Sequence, residues 1–327
     1  MTRLMLFLSV CVAVLFVASL VLGPAGMPVL DSLSALFVQD EGPLSMVMRE
    51  IRLPRALLGL MIGISLGMAG AGMQGYLRNP LADPGLIGVS ASAALGAVLA
   101  IHTGLSAAFV LGLPIAALAG ALSAVFLVLA LAGPQGGALT LILAGIAISS
   151  LAAALSSLVL NLSPNPFAAN EIVFWMMGSL ADRSMTHVWL ALPLMLVGWG
   201  LLATLPRGLE ALTLGEDAAQ AMGVNLTRLR LKLVIGTAAA IGAATAVAGA
   251  IGFVGLVVPH ILRPYVGSRP GRLLWASALG GAAMVLAADI VVRLVLPTQD
   301  LKLGVLTALV GAPLFLHLIY KTRRAGI

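Results

Sequence analysis

Arg52 and Arg55 stand three residues apart at the head of an uncharged run that extends to Tyr76. On a helix that spacing puts both guanidiniums on one face, and two fixed guanidiniums can take carboxylates of a partner in bidentate pairs. The same residues also suit a plainer role as interfacial anchors that snorkel to lipid headgroups. Arg293 ends another apolar run with Asp289 one turn before it. That i,i+4 pair can neutralise itself for about 0.3–0.5 kcal/mol.

Chemistry of the bond-breaking kind finds no residues to carry it. There is no GxxxxGK[ST] phosphate loop: Lys321-Thr322 is the one Lys followed by Ser or Thr, and Tyr320 occupies the place of the required Gly. His102, His187, His260 and His317 have no metal-ligand spacing, and neither HExxH nor GxSxG occurs. No catalytic residue, resident metal or cofactor is expected in this chain. An intramembrane enzyme would need a nucleophile–base pair or a metal site. An ion-coupled secondary transporter would need acids at mid-membrane, whereas Glu171 and Asp289 sit near the ends of apolar runs.

The elements that position these residues follow from composition. The 327 residues are 61% hydrophobic and 9% charged. A soluble domain carries about 25% charged residues, so lipid must replace water around most of this surface. The net charge of +6 is spread over the ends of apolar runs, so it reads as a topology signal, and no nucleic-acid partner is expected. Cys11, the single cysteine, lies within the first apolar run, which precludes an intrachain disulfide. That run, Leu4 to Leu22, is longer than a signal-peptide core and is taken as a retained helix.

Apolar runs of membrane-crossing length predict helices, since lipid satisfies no backbone polar group. Ten are expected: 4–22, 54–76, 88–101, 107–131, 139–161, 187–205, 233–250, 255–267, 273–292 and 305–320, the third and eighth being short. The fold class is therefore an all-α polytopic membrane protein with one domain over 1–327. With the N-terminus inside, Arg3, Arg78, Arg207, Arg228, Arg230, Lys232, Arg263, Arg269, Arg272, Lys321, Arg323 and Arg324 are cytoplasmic. Arg49, Arg52, Arg55, Arg183, Arg293 and Lys302 lie opposite, a balance that obeys the positive-inside rule and leaves both termini cytoplasmic.

Two small-residue stripes match each other. Gly59, Gly63, Gly67, Ala71 and Gly75 step by four, as do Gly236, Ala240, Ala244, Ala248 and Gly252. Each is followed by a Gly/Pro-rich break and a short span, the pattern of an inverted repeat in a transporter. The longest charged loop, 206–232, contains Thr213-Leu214-Gly215-Glu216-Asp217-Ala218-Ala219, read as a turn and a short helix with acids in its first turn and Gly223 as its C-cap. Such a helix can dock a cytoplasmic subunit or be an ordinary surface loop.

RLPR (52–55), Gln74, RNPLADPGLIG (78–88), WMMGSL (175–180), LGEDAAQAMGV (214–224), GAIGFVGLVVPHILR (249–263), AADIVVR (287–293) and TALVGAPLF (307–315) run in order along nearly the whole chain. In these motifs the chain resembles the iron–siderophore, haem and cobalamin permease family, the transmembrane subunits of type II ATP-binding-cassette importers. The resemblance implies a bacterial inner-membrane subunit, paired with a second permease subunit as a homodimer. Its other partners would be two cytoplasmic ATPase subunits, which hold ATP and Mg, and a periplasmic binding protein. It implies that Arg52, Arg55 and Arg293 meet acids of that binding protein, and that Leu214, Gly215, Glu216, Asp217, Ala218 and Gly223 belong to the ATPase-coupling helices. Asn79 and Leu81 match part of the cytoplasmic gate, with a second part near Ala138 and Leu139. A ferric siderophore is the expected cargo, with cobalamin or haem as the alternative. Where the family has Glu-Leu-Pro-x-Gly before the last helix, this chain has Asp300-Leu301-Lys302-Leu303-Gly304.

Overall fold

The computed structural model describes residues 1–23, 28–37, 42–109, 111–133, 136–163, 165–295 and 301–324. Among them the principal helices are α1 (Thr2–Val21), α2 (Leu53–Tyr76), α3 (Val89–His102), α4 (Gly112–Ala132), α5 (Ala138–Asn161), α6 (Met185–Ala203), α7 (Leu226–Ala248), α8 (Val254–Leu262), α9 (Pro270–Val295) and α10 (Leu303–Arg324). The ten expected runs are all present as helices. Among the described residues seven helices are long and apolar enough to cross a membrane, and the second of these extends back through a π-helical turn to Pro43. The prominent exceptions are α3, with 14 residues, and α8, with 9. At 1.5 Å per residue they reach about 21 and 13 Å, less than a hydrocarbon core of about 30 Å.

The inverted repeat explains both. α2 is followed by a break at 77–88 and then α3, and α7 by a break at 249–253 and then α8. Each break turns back into the bundle, so its short helix starts at mid-depth. The contacts show this directly. A Cβ on Gly255 would meet Pro84 at 2.7 Å and the Leu66 carbonyl at 2.9 Å, and Leu66 is near the middle of α2's 24 residues.

The small-residue stripes are where backbones touch. On α2, a Cβ at Gly63 would lie 2.5 Å from Ala282 Cα, and one at Gly67 would lie 1.8 Å from the Ser277 oxygen, both on α9. On α7, Gly236 approaches α6: a Cβ there would sit 3.2 Å from the Gly198 oxygen. Without a hydrophobic drive between helices in lipid, this close approach supplies the packing. α2 and α7 form the centre of the bundle, whereas α1, α4, α5 and α6 expose broad apolar faces.

The largest boundary difference from the sequence reading is at the start of α7. α7 begins at Leu226, not near 233, because its apolar positions continue beneath Arg228, Arg230 and Lys232. In the altered 300–304 segment, Asp300 lies outside the described residues. Lys302 sits 5.4 Å from the Phe174 ring, and Gly304 N–H donates to the Gly178 carbonyl at 3.3 Å.

Candidate functional site: two bundle ends and the breaks between them

At one end of the bundle Arg52 and Arg293 converge on the end of α1. Its last carbonyls have no partner within the helix and carry the negative end of its dipole. Arg52 Nη1 donates to the Leu20 and Val21 carbonyls at 2.9 and 2.6 Å. Arg293 Nη1 donates to the Ser19 and Leu22 carbonyls at 3.0 and 3.1 Å, and its Nη2 to Ser19 Oγ at 2.8 Å. Arg55 turns the other way: its Nε donates to both Asp289 carboxylate oxygens at 2.9 and 3.1 Å, with Nη2 2.9 Å from Oδ1. Asp289 also pairs with Arg293 at 3.2 Å.

The sequence reading had Arg52 and Arg55 on one outward face, and the geometry is different. Arg52 and Arg293 are buried and serve the C-terminus of α1, and Arg55 keeps the most exposed side chain of the three at 16%. Among the described residues the cluster gathers three guanidiniums around the Asp289 carboxylate. The expected Asp289–Arg293 pair exists, but Asp289 is shared with Arg55, so it joins α2 to α9. Ser19 is a partner that no sequence pattern singles out.

At the opposite end, Gly215 adopts φ +106 and ψ 162, a conformation open to glycine, and releases the helix Glu216–Ala221. Gly223 has φ +83, its N–H donates to the Gln220 carbonyl, and Val224 N–H donates back to Ala219. That is the expected C-cap. Ala219 is fully buried, while Leu214, Glu216, Asp217 and Met222 face out. An acidic first turn flanked by two exposed apolar side chains is a shaped surface rather than a loose loop.

The two segments that the resemblance implies as gate lie near this end. Asn79 Oδ1 accepts from Leu81 N–H at 2.9 Å, which fixes the turn after α2. Ala138 opens α5, and Leu139 beside it is 69% exposed. Further along, the turn of 3-10 helix Pro84–Ile87 packs onto α5, where a Cβ on Gly145 would meet the Leu86 oxygen at 1.8 Å. Gln74 ties α2 to α8: Nε2 donates to the Leu256 carbonyl at 3.1 Å, and Oε1 accepts from Arg263 at 2.7 Å.

Asp83 belongs to the break after α2 and has no role assigned from the sequence. The fold carries it to mid-depth, into a cavity of about 130 Å³ lined by Leu66, Ser90, Ile241 and the 250–253 break. Its Oδ1 accepts from Gly85 N–H at 2.7 Å and caps the Pro84–Ile87 turn. The expectation that no acid lies at mid-membrane is thereby corrected. An Asp followed by Pro is the signature of an N-cap with Pro at N1, and that pattern was available in the sequence. Asp83→Ala should cost about 0.5–2 kcal/mol by losing the cap, and Asp83→Asn should keep most of it. Thermal unfolding of the detergent-solubilised protein checks both, and equal midpoints for the two variants would refute the cap.

Residues 11–321 match the FecCD transport family. A cobalamin import system permease protein, BtuC, of Halobacterium salinarum is 42% identical over 279 residues, covering 84% of this chain and 73% of that one. The hemin transport system permease protein HmuU of Yersinia pestis is 38% identical over 286 residues, covering 84% and 83%. YvrB of Bacillus subtilis, an uncharacterized ABC transporter permease, is 38% identical over 292 residues, covering 88% and 82%. A solved structure of a metal-chelate type ABC transporter in an inward-facing conformation superposes with a TM-score of 0.87 at 33% identity, covering 98% of this chain and 100% of that one. The chain belongs to the FecCD transport family and is a permease of the ATP-binding-cassette transporters.

Proposed function

We propose that this permease imports a corrinoid, as the named cargo of its relatives from Halobacterium salinarum and Klebsiella pneumoniae suggests. The ferric siderophore expected on family frequency, and haem, the cargo in the name of HmuU, are the alternatives. The whole chain acts as one domain in a homodimer in the cytoplasmic membrane, with both termini and the 206–232 loop inside. Two ATPase subunits seat the Leu214–Gly223 segment in their grooves, and a periplasmic binding protein docks over the arginine cluster. Nucleotide-driven closure moves the coupling helices, and the segments around Asn79, Leu81, Ala138 and Leu139 open the path. The observation that supports this reading most is the placing of the arginine cluster and the acidic coupling helix at opposite ends of two broken-helix units.

Uptake into proteoliposomes holding the full importer, compared for cyanocobalamin, haemin and a ferric hydroxamate, tests the cargo. ATP-dependent uptake of cyanocobalamin alone is expected, and uptake of either other chelate in its place overturns the corrinoid reading. Docking is best probed at Arg55, because charge reversal at Arg52 would also uncap α1. Arg55→Gln should lower binding-protein-stimulated ATP hydrolysis about tenfold at low salt, an effect that shrinks as salt screens the interface. Undiminished stimulation in that variant would remove Arg55 from the docking surface.

A further inference from the structure

The end opposite the arginine cluster holds a cavity of about 250 Å³ lined by Tyr76, Gly136, Gly137, Glu216, Gln220 and Arg230, among others. Five elements meet there: the end of α2, the approach to α5, the Pro206–Leu212 helix, the Glu216–Ala221 helix and the first turns of α7. Arg230 is 4% exposed. Its Nη2 donates to the Gly133 carbonyl at 2.7 Å, and its Nη1 donates to the Gly136 carbonyl. Both acceptors lie just past the C-terminus of α4, and Gly137 then leads directly into Ala138 and Leu139. A planar fork of donors on a fixed stem suits two carbonyls held side by side.

On its other side Arg230 is joined to the coupling helix by a short, bonded connection. Val224 N–H returns to the Ala219 carbonyl at 3.0 Å, and Asn225 Oδ1 caps α7 by accepting from Arg228 N–H at 2.9 Å. Few free torsions remain between Ala219 and Arg230. A displacement of the Glu216–Ala221 helix therefore reaches the Gly133 and Gly136 carbonyls through one side chain.

We propose that Arg230 is the strut that carries motion of the coupling helix to the start of α5, so that gate opening follows ATP hydrolysis. It is a positioning residue and touches no cargo. The proposal rests on the reading that 214–223 seats the ATPase and that Leu139 belongs to the gate.

The test uses the assembled permease–ATPase complex in proteoliposomes, with Cys11→Ser and Leu139→Cys as background. Maleimide labelling at position 139 is compared between the nucleotide-free and vanadate-trapped states, alongside ATP hydrolysis. With Arg230 present, the labelling rate should differ at least fivefold between the states. Arg230→Met should hydrolyse ATP yet lose that difference, and Arg230→Lys should recover part of it. A full labelling difference in Arg230→Met overturns the strut. So does a parallel loss of hydrolysis and labelling difference, which marks a merely structural role. If Arg230→Met does not assemble, Arg230→Lys decides: a difference at least twofold smaller at unchanged hydrolysis supports the strut, and an undiminished one refutes it. A complex with Arg230 intact that shows no nucleotide dependence refutes the gate reading itself, and the strut with it.

Discussion

Asp289→Ala is expected to destabilise the permease by about 3–5 kcal/mol, the range for removing one partner from a buried charge pair. Asp289 is 1% exposed and is the anion between Arg55 and Arg293. Truncation leaves two guanidiniums facing each other with no carboxylate, and the carbonyls of α1 offset only part of that repulsion. The lesion also parts α2 from α9, because the Arg55–Asp289 bonds cross that junction. Adding Arg55→Met should return a good part of the loss, since one uncompensated cation disappears. A double-mutant cycle on thermal unfolding in detergent reads the coupling, expected at about 0.5–3 kcal/mol for groups in one network. A single-variant cost within about 1 kcal/mol, the size of an exposed pair, would show that the cluster is solvated rather than buried.

The same cluster shows how far local pattern reaches. Arg52, Arg55, Asp289 and Arg293 were legible as charges at the ends of apolar runs, because lipid leaves few other places for them. Their partners were not legible. The carbonyls that Arg293 reaches belong to residues more than 270 positions away, and a free carbonyl is a property of where a helix stops, not of its residue types. The ten helices were readable because crossing a bilayer demands length and apolarity together. Where that demand lapses, the reading failed. Apolar windows clipped α7 at its charged turn and so missed Arg230, although Leu226, Leu229 and Leu233 keep a helical spacing through the charges. Nothing in the residue types of the 77–88 break marks its depth, yet the fold sends it back to mid-depth with Asp83. Exposed apolar side chains on α5 and α10, such as Leu143 and Leu309, look alike in sequence whether lipid or a second subunit covers them.

Close backbone approach is the feature where sequence and structure agree most sharply, and it yields the second large effect. Gly67→Ala is expected to cost about 3 kcal/mol or more, at or above the upper end for overpacking. Its Cβ would lie 1.8 Å from the Ser277 oxygen and 2.6 Å from the carbonyl carbon. A flexible side chain could turn away, but these are backbone atoms of α9, so relief requires prying α9 from α2. No change of the side chain at 277 can compensate. Gly200 on α6 supplies the contrast, because a Cβ there meets nothing within 4 Å. Gly200→Ala should be neutral or stabilise by up to about 1 kcal/mol through helix propensity. Thermal unfolding of both variants in the same detergent distinguishes packing from composition. If Gly67→Ala unfolds no earlier than Gly200→Ala, the four-residue stripe is compositional and the α2–α9 junction is looser than its contacts imply. The expected result instead makes α2 and α9 one rigid body, anchored at one end by the Asp289 cluster and free at the other to carry the motion proposed for the Glu216–Ala221 helix.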